Sequence, residues 1–463
     1  MKNRIKFVPR SRLLFWTGAI VFPCTCLTAY SPAFTFLALA LIAGFMLVTA
    51  LDMIASRHAL ASLQVQVPDI VRLSVGRKGE ISLRIRCEKR NIRQLRLGLV
   101  FPSAIHTDSS EQRILISLDA EIVSVSWPVQ ALKQGRFILD RCYLETISNS
   151  ILFIGGFWNI RASKPINAEI RVYPDIWSER QHLSALFMNQ GIGVHRQHLV
   201  GKGREFDQLR EYQPGDSYED IHWKATAKRR QPITRVHQVE RTQQVYVIID
   251  ASRMSARPAN ITSTAKRAHT DKTSLTTILD RFITAAMVLG MAAQRQGDLF
   301  GLLVFNDNVQ VFLNARSGKA HFGACRDALY TIAPKRVSPD FVELFTFIGT
   351  RIRRRSLMLF LTSLDDPVLA ETFTHHIDII SRRHLVSVTM LNPLLAKPLF
   401  ESPSIQSIRD LHRHLGGHFL WQTLRETAKT LNRRGVNLAL PDNTDLCPSL
   451  VSRYLAVKQR QLL

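Results

Sequence analysis

The stretch Val245-Tyr246-Val247-Ile248-Ile249-Asp250 is an unbroken apolar run closed by an acid. A β-branched and aromatic run of this length reads as a strand buried on both faces, as in the interior of a parallel sheet. Downstream the pattern alternates. Residues 281–296 place Phe282, Ala286, Leu289 and Ala293 on one helical face, and Gly297 follows where a helix would end. Residues 299–305 read as a second buried strand, Asn306-Asp307-Asn308 as a turn, and 309–313 as an edge strand returning in a hairpin. Two helices near 319–332 and 339–353 follow, then a strand at 357–361, a helix at 367–382, a strand at 385–391, a helix near 418–433 and a strand at 436–440. This alternation predicts an α/β domain over residues 241–463: a doubly wound parallel sheet with helices on both faces. Such sheets bind at the carboxyl ends of their strands.

Upstream of the sheet the period changes. Between residues 58 and 175, short alternating runs such as Ile81-Ser82-Leu83-Arg84-Ile85 and Ile122-Val123-Ser124-Val125-Ser126-Trp127 are separated by Gly, Asn, Asp and Ser. That spacing predicts a small antiparallel β-sandwich. Residues 176–240 are polar and rich in Gly and Arg, and read as a connector between the sandwich and the sheet domain.

Residues 1–57 predict a transmembrane helical hairpin with a basic N-terminus. No charge falls between Leu13 and Leu51, a run of 39 residues. One bilayer crossing takes about 20 helical residues, so the run fits two spans, 13–30 and 33–51, divided at Ser31-Pro32. Lys2, Arg4, Lys6, Arg10 and Arg12 flank one side and Arg57 the other, while the turn is uncharged. Positive residues stay inside, which places both termini and the soluble part in the cytoplasm. A cleaved leader would need an A-x-A site, and the sequence there reads Leu27-Thr28-Ala29-Tyr30-Ser31-Pro32. The six cysteines form no CxxC pair, which fits buried reduced thiols better than a disulfide framework.

The connector holds the densest motif: Gly201-Lys202-Gly203-Arg204-Glu205-Phe206, then Leu209-Arg210-Glu211-Tyr212-Gln213-Pro214-Gly215-Asp216, then Ile221-His222-Trp223-Lys224-Ala225-Thr226-Ala227. This strongly resembles the domain of unknown function 58 family of bacteria and archaea. The resemblance implies a membrane hairpin, a β-rich segment, the motif, and a von Willebrand factor A-like domain. It also implies a partner, a MoxR-type AAA+ ATPase, and a role as a chaperone-like or assembly factor in the bacterial cell membrane. The chain departs from the family at Ser217-Tyr218-Glu219-Asp220, where many members carry a basic residue before the Ile. Within the motif, Arg210, Tyr212, Asp216, His222, Trp223 and Lys224 are the candidate partner-binding residues. Their structural reading is a lock of the connector onto the sheet domain, with Pro214-Gly215 as a turn and Trp223 half buried beside Ile221 and Ala225.

The von Willebrand A-like fold often holds a divalent metal through D-x-S-x-S after the first strand, a later Thr and a later Asp. Here Asp250-Ala251-Ser252-Arg253-Met254 keeps the first two ligands, Ser338 stands at the Thr position and Ser363 replaces the Asp. Ser338-Pro339 also reads as a helix N-cap followed by proline. The set Asp250, Ser252 and Ser338 is therefore degenerate, and neither Mg2+ nor any other cofactor is expected. His412, His414 and His418 are close in sequence, but Gly416-Gly417 weakens a helix that would align them.

No P-loop, G-x-S-x-G or G-x-G-x-x-G occurs, and no catalytic constellation is recognisable, so the chain is expected not to be an enzyme. Net charge is +24, from 61 Lys+Arg against 37 Asp+Glu, which favours anionic partners. The sharpest basic run, Arg351 with Arg353, Arg354 and Arg355, lies at a predicted helix C-terminus, where cations oppose the dipole. Anionic lipid is its alternative contact, and nucleic acid ranks lower because no aromatic residues are interleaved. The leading expectation is a membrane-anchored scaffold or adaptor for the ATPase or its client. A metal-dependent protein-binding module is the rival.

Overall fold

A computed structural model describes residues 5–31, 34–57, 60, 63–87, 92, 94–116, 121–148, 156–177, 179, 200–214, 216–238, 243–259, 276–399 and 407–460. The protein is mixed α/β. It divides into two compact units, Met1–Pro174 and Asp175–Leu463.

The first unit begins with strand β1 (Lys6–Pro9), which leads directly into helix α1 (Ser11–Tyr30), followed by α2 (Thr35–Ser56). Both helices are long and apolar enough to cross a bilayer. Their large side chains face outward, with Phe15 at 70%, Phe22 at 71% and Phe36 at 85% exposure, which a membrane would cover. The second helix runs five residues past the uncharged stretch because Asp52 is buried. Its carboxylate accepts from Ser148 Oγ at 2.8 Å and from the Phe157 amide at 3.1 Å, and Trp158 Nε1 donates to the Thr49 carbonyl at 3.1 Å. Gly156 permits this approach: at φ +49°, a Cβ there would stand 2.0 Å from the Ser148 carbonyl oxygen.

The strands that follow are β2 (Leu63–Gln66), β3 (Ile70–Ser74), β4 (Lys78–Cys87), β5 (Gln94–Leu99), β6 (Ile105–His106), β7 (Glu111–Leu115), β8 (Ile122–Ala131), β9 (Gly135–Ile147) and β10 (Trp158–Tyr173). They form two sheets, β1-β10-β9-β5-β7 with β3 beside β10, and β2-β4-β8-β6. The alternating residues Ile81, Leu83 and Ile85 of one sheet and Leu95, Leu97 and Leu144 of the other share one core. Trp127 is fully buried in it, its indole N–H shared between Thr107 Oγ1 and the Ser109 carbonyl, both at 3.1 Å. β1 pairs antiparallel with β10, from Lys6 opposite Arg161 to Pro9 opposite Trp158, so the basic N-terminal flank is partly a sheet edge.

In the second unit the connector is a structured hairpin. Strand β11 (Val200–Glu211) pairs antiparallel with β12 (Ile233–Gln238), and helix α3 (Trp223–Arg229) lies in the loop between them. The sheet that follows comprises β13 (Gln244–Asp250), β14 (Leu299–Phe305), β15 (Val309–Arg316), β16 (Leu357–Leu361), β17 (Leu385–Thr389) and β18 (Asn437–Ala439). Its order is β15-β14-β13-β16-β17-β18, parallel throughout except for β15 at the edge.

The helices are α4 (Ile278–Arg295), α5 (Lys319–Leu329), α6 (Phe341–Arg351), α7 (Pro367–His376), α8 (Asp378–Ser381), α9 (Ile408–Arg433) and α10 (Leu446–Gln459). Val245, Val247 and Ile249 of β13 pack with α4 and α10. Tyr246 and Ile248 point the other way, into a core with α6, α7 and α9. The helices therefore cover both faces, as the unbroken apolar run requires.

Three local expectations are corrected. Helix α9 runs straight through Gly416-Gly417, because Gly417 serves packing: a Cβ there would lie 2.0 Å from the Leu395 carbonyl oxygen. Ser338 is not an N-cap. Asp340 caps α6, accepting from the Val342 and Glu343 amides at 2.9 and 3.1 Å, so the helix starts two residues later than Pro339 suggests. The expected helix at 367–382 is broken into α7 and α8.

Candidate functional sites

The hairpin motif is built around Asp216. One carboxylate oxygen accepts from Arg210 Nη2 at 2.7 Å, and the other from the Gln213 amide at 3.0 Å. Asp216 N–H in turn donates to the Gln213 carbonyl at 3.0 Å. Arg210 and Asp216 are thus consumed in fixing the turn. Of the expected Pro214-Gly215 pair, Gly215 lies outside the described residues. Tyr212 N–H donates to the Pro232 carbonyl at 2.9 Å, and its ring stacks on Tyr218 with centroids 6.1 Å apart.

His222 caps α3, its Nδ1 accepting from the Ala225 amide at 3.1 Å. Its backbone N–H reaches the Ile233 carbonyl at 2.7 Å, while Ile221 is buried and bridges to Thr234. Each of these contacts holds the loop to its own hairpin.

Trp223 differs. The expectation that it is half buried is wrong: it is 69% exposed. Ile221, bridged to Thr234, takes the buried position instead. Lys224, Lys228, Arg229 and Arg230 are exposed along and just beyond the same helix, and Tyr218 is 76% exposed in the preceding turn. A short loop therefore presents an indole, a phenol and four cations to its surroundings, on a frame that is hydrogen-bonded from within.

At the carboxyl ends of the sheet the arrangement is closed. Asp250 is fully buried, and both its oxygens are taken: Oδ1 by the Ser252 amide at 2.8 Å, Oδ2 by Thr362 Oγ1 at 2.7 Å. Burial pushes its carboxyl up, against the opposing pull of Ser252, Thr362 and the positive charge of Arg257. Ser252 Oγ accepts from the Met254 amide at 3.3 Å. Ser338 is exposed on the loop whose Val337 carbonyl accepts from Arg253 N–H at 2.9 Å. Thr362, the residue that engages Asp250, was not among the sequence candidates, which looked one position on at Ser363. The alternation of a parallel strand and its following loop gives no sign of which of two adjacent hydroxyls turns inward.

Arg257 dominates this end. Its Nη1 and Nη2 donate to Asp365 at 2.5 and 2.9 Å, and Nε donates to the Met254 carbonyl at 2.9 Å. Outside it, Arg253 pairs with Asp366 at 3.5 Å. A cavity of about 530 Å3 opens beside the pair, with Met390, Leu391 and Leu420 on its apolar side. Of the three sequence-predicted oxygen ligands, Asp250 and Ser252 accept hydrogen bonds from protein donors and Ser338 is on the surface. Residues 412–418 lie on α9, where His418 stacks on Trp421 with centroids 5.6 Å apart.

Residues 208–396 match the family described as "Protein of unknown function DUF58". The matched segment belongs to the DUF58 family. This DUF58 segment contains both the second half of the hairpin motif and the sheet end around Asp250. No curated protein matches the chain.

Among solved structures, the chain is similar to proximal thread matrix protein 1 from the mussel byssus, at 9% identity over 47% of this chain and 46% of that one, with a TM-score of 0.24. It is also similar to an uncharacterized membrane spanning protein from Vibrio fischeri, at 12% identity over 46% of this chain and 98% of that one, with a TM-score of 0.16. The chain spans about half the length of the mussel protein. Likenesses this distant decide neither fold nor function.

Proposed function

We propose that the protein is a membrane-anchored scaffold or adaptor, not an enzyme, which engages a MoxR-type AAA+ ATPase or that ATPase's client through the loop between β11 and β12. On this reading α1 and α2 span the bacterial cell membrane as a hairpin, both soluble units are cytoplasmic, and the second unit is a von Willebrand A-like domain. The observation that carries the proposal is the exposure of Trp223, with Lys224 beside it, within a motif whose Arg210, Asp216 and His222 are tied inward. An exposed indole flanked by cations is the composition of an interface centre with a charged rim. The net charge of +24 favours an acidic counter-surface.

The test is Lys224→Glu in the full chain. Reversing one rim charge should weaken capture of the MoxR-type ATPase of the same cell by about tenfold, with the melting curve unchanged. Full capture by Lys224→Glu would remove the loop from the partner surface.

A further inference from the structure

The end of the sheet around Asp250 gathers oxygens of the kind a hard cation takes, and a guanidinium is bonded to one of their carboxylates. Asp250, Ser252, Thr362 and Asp365 supply carboxylate and hydroxyl oxygens at the ends of two adjacent parallel strands, β13 and β16. Oxygens of this kind, gathered where little water reaches them, need a positive charge among them. Arg257 provides it. The guanidinium binds Asp365 in two-pronged fashion, at 2.5 and 2.9 Å, while Nε is pinned to the Met254 carbonyl at 2.9 Å. All three of its nitrogens are therefore directed, and the planar head cannot swing to solvent without breaking three bonds. Asp250 and Asp366 act on the same guanidinium through space. Arg253 answers Asp366 from outside at 3.5 Å.

We propose that Arg257 is a built-in cation: its guanidinium holds the place at the strand ends that a divalent ion would otherwise fill, so this face of the DUF58 domain is assembled without metal. The consequence for the neighbouring cavity is that its charged wall is fixed by the chain itself. A partner docking there meets a neutral Arg–Asp pair and not an open coordination position. This inference is independent of the loop between β11 and β12.

The experiment is a melting series on the full chain in detergent, with Mn2+ added against ionic-strength-matched NaCl. The unaltered chain should show no Mn2+ shift. Arg257→Gln keeps most of the stem and a donor but drops the charge. It should melt lower and gain a Mn2+-dependent rise on the order of 5 °C at saturation. Adding Asp250→Asn to that variant should abolish the rise. A Mn2+ shift in the unaltered chain, or an Arg257→Gln protein indifferent to Mn2+, would overturn the proposal. Asp365→Asn covers the case in which Arg257→Gln does not fold. The guanidinium there still acts on Asp250 through space, so Mn2+ should leave its melting temperature unchanged, and a shift would equally overturn the proposal.

Discussion

The loop between β11 and β12 and the sheet end at Asp250 belong to the same family domain and handle polar side chains in opposite ways. At the sheet end, every carboxylate just described has a protein partner, and Asp250 has two. In the hairpin motif, Arg210, Asp216 and His222 are similarly engaged, but Trp223, Lys224 and Lys228 of the loop are exposed. On the proposed function, the difference separates maintenance from recognition. Groups whose hydrogen bonds close within the chain stabilise it, whereas exposed aromatic and cationic groups beside them are free to contact a partner. A motif therefore has to be divided residue by residue, because its density in the sequence does not distinguish the two kinds.

The contrast is broken most forcefully by removing Asp250. Asp250→Ala strands two buried donors, the Ser252 amide and the Thr362 hydroxyl, each costing about 1–3 kcal/mol when left unpaired. The expected loss is about 3 kcal/mol, measured as a lowered denaturation midpoint of the full chain. A loss below about 1 kcal/mol would mean that the carboxylate is not needed by the fold and is available to a ligand.

A smaller effect is expected in the loop frame. Asp216→Ala removes the acceptor for Arg210 and for the Gln213 amide, both in partly exposed surroundings. About 1–2 kcal/mol of stability should be lost, and partner capture should fall with it because the loop is no longer held. Capture that falls with no loss of stability would make Asp216 a contact residue and move it to the other side of the comparison.

Much of this frame is legible in the sequence. The run at 245–249, the turn at Asn306-Asp307-Asn308 and the helix start at 367 each have a single economical reading, and the structure has a central strand, a hairpin to β15 and the start of α7 at those places. The uncharged stretch at 13–51 likewise becomes two long apolar helices. The features that the sequence does not show depend on contacts distant along the chain. β1 is four residues long and exists because β10 offers it an edge.

Helix α10 lies beyond the last element the sequence pattern predicts, although its Leu446, Leu450, Val451, Tyr454 and Leu455 recur at helical spacing and are buried. Its anchorage is invisible locally: Tyr454 and Lys458 both donate to Asp298, more than a hundred residues away. Gly417 looked like a helix breaker and is a close-packing residue against Leu395. Trp223 was misplaced for a related reason. Within Ile221-His222-Trp223 either apolar side chain could turn inward, and the bridge from Ile221 to Thr234 selects Ile221.

The most direct measurement takes Trp223→Ala through both assays at once, the melting curve of the full chain and capture of the MoxR-type ATPase. Because the indole is 69% exposed, truncation should change stability by no more than about 0.5 kcal/mol. As the aromatic centre of a contact surface, its loss should cost about 2 kcal/mol or more of binding, roughly thirtyfold in affinity. An unchanged melting curve with capture reduced to that extent is the predicted result. A Trp223→Ala protein that captures the ATPase as well as the unaltered chain, or one that unfolds, would contradict the assignment of this loop as the partner surface.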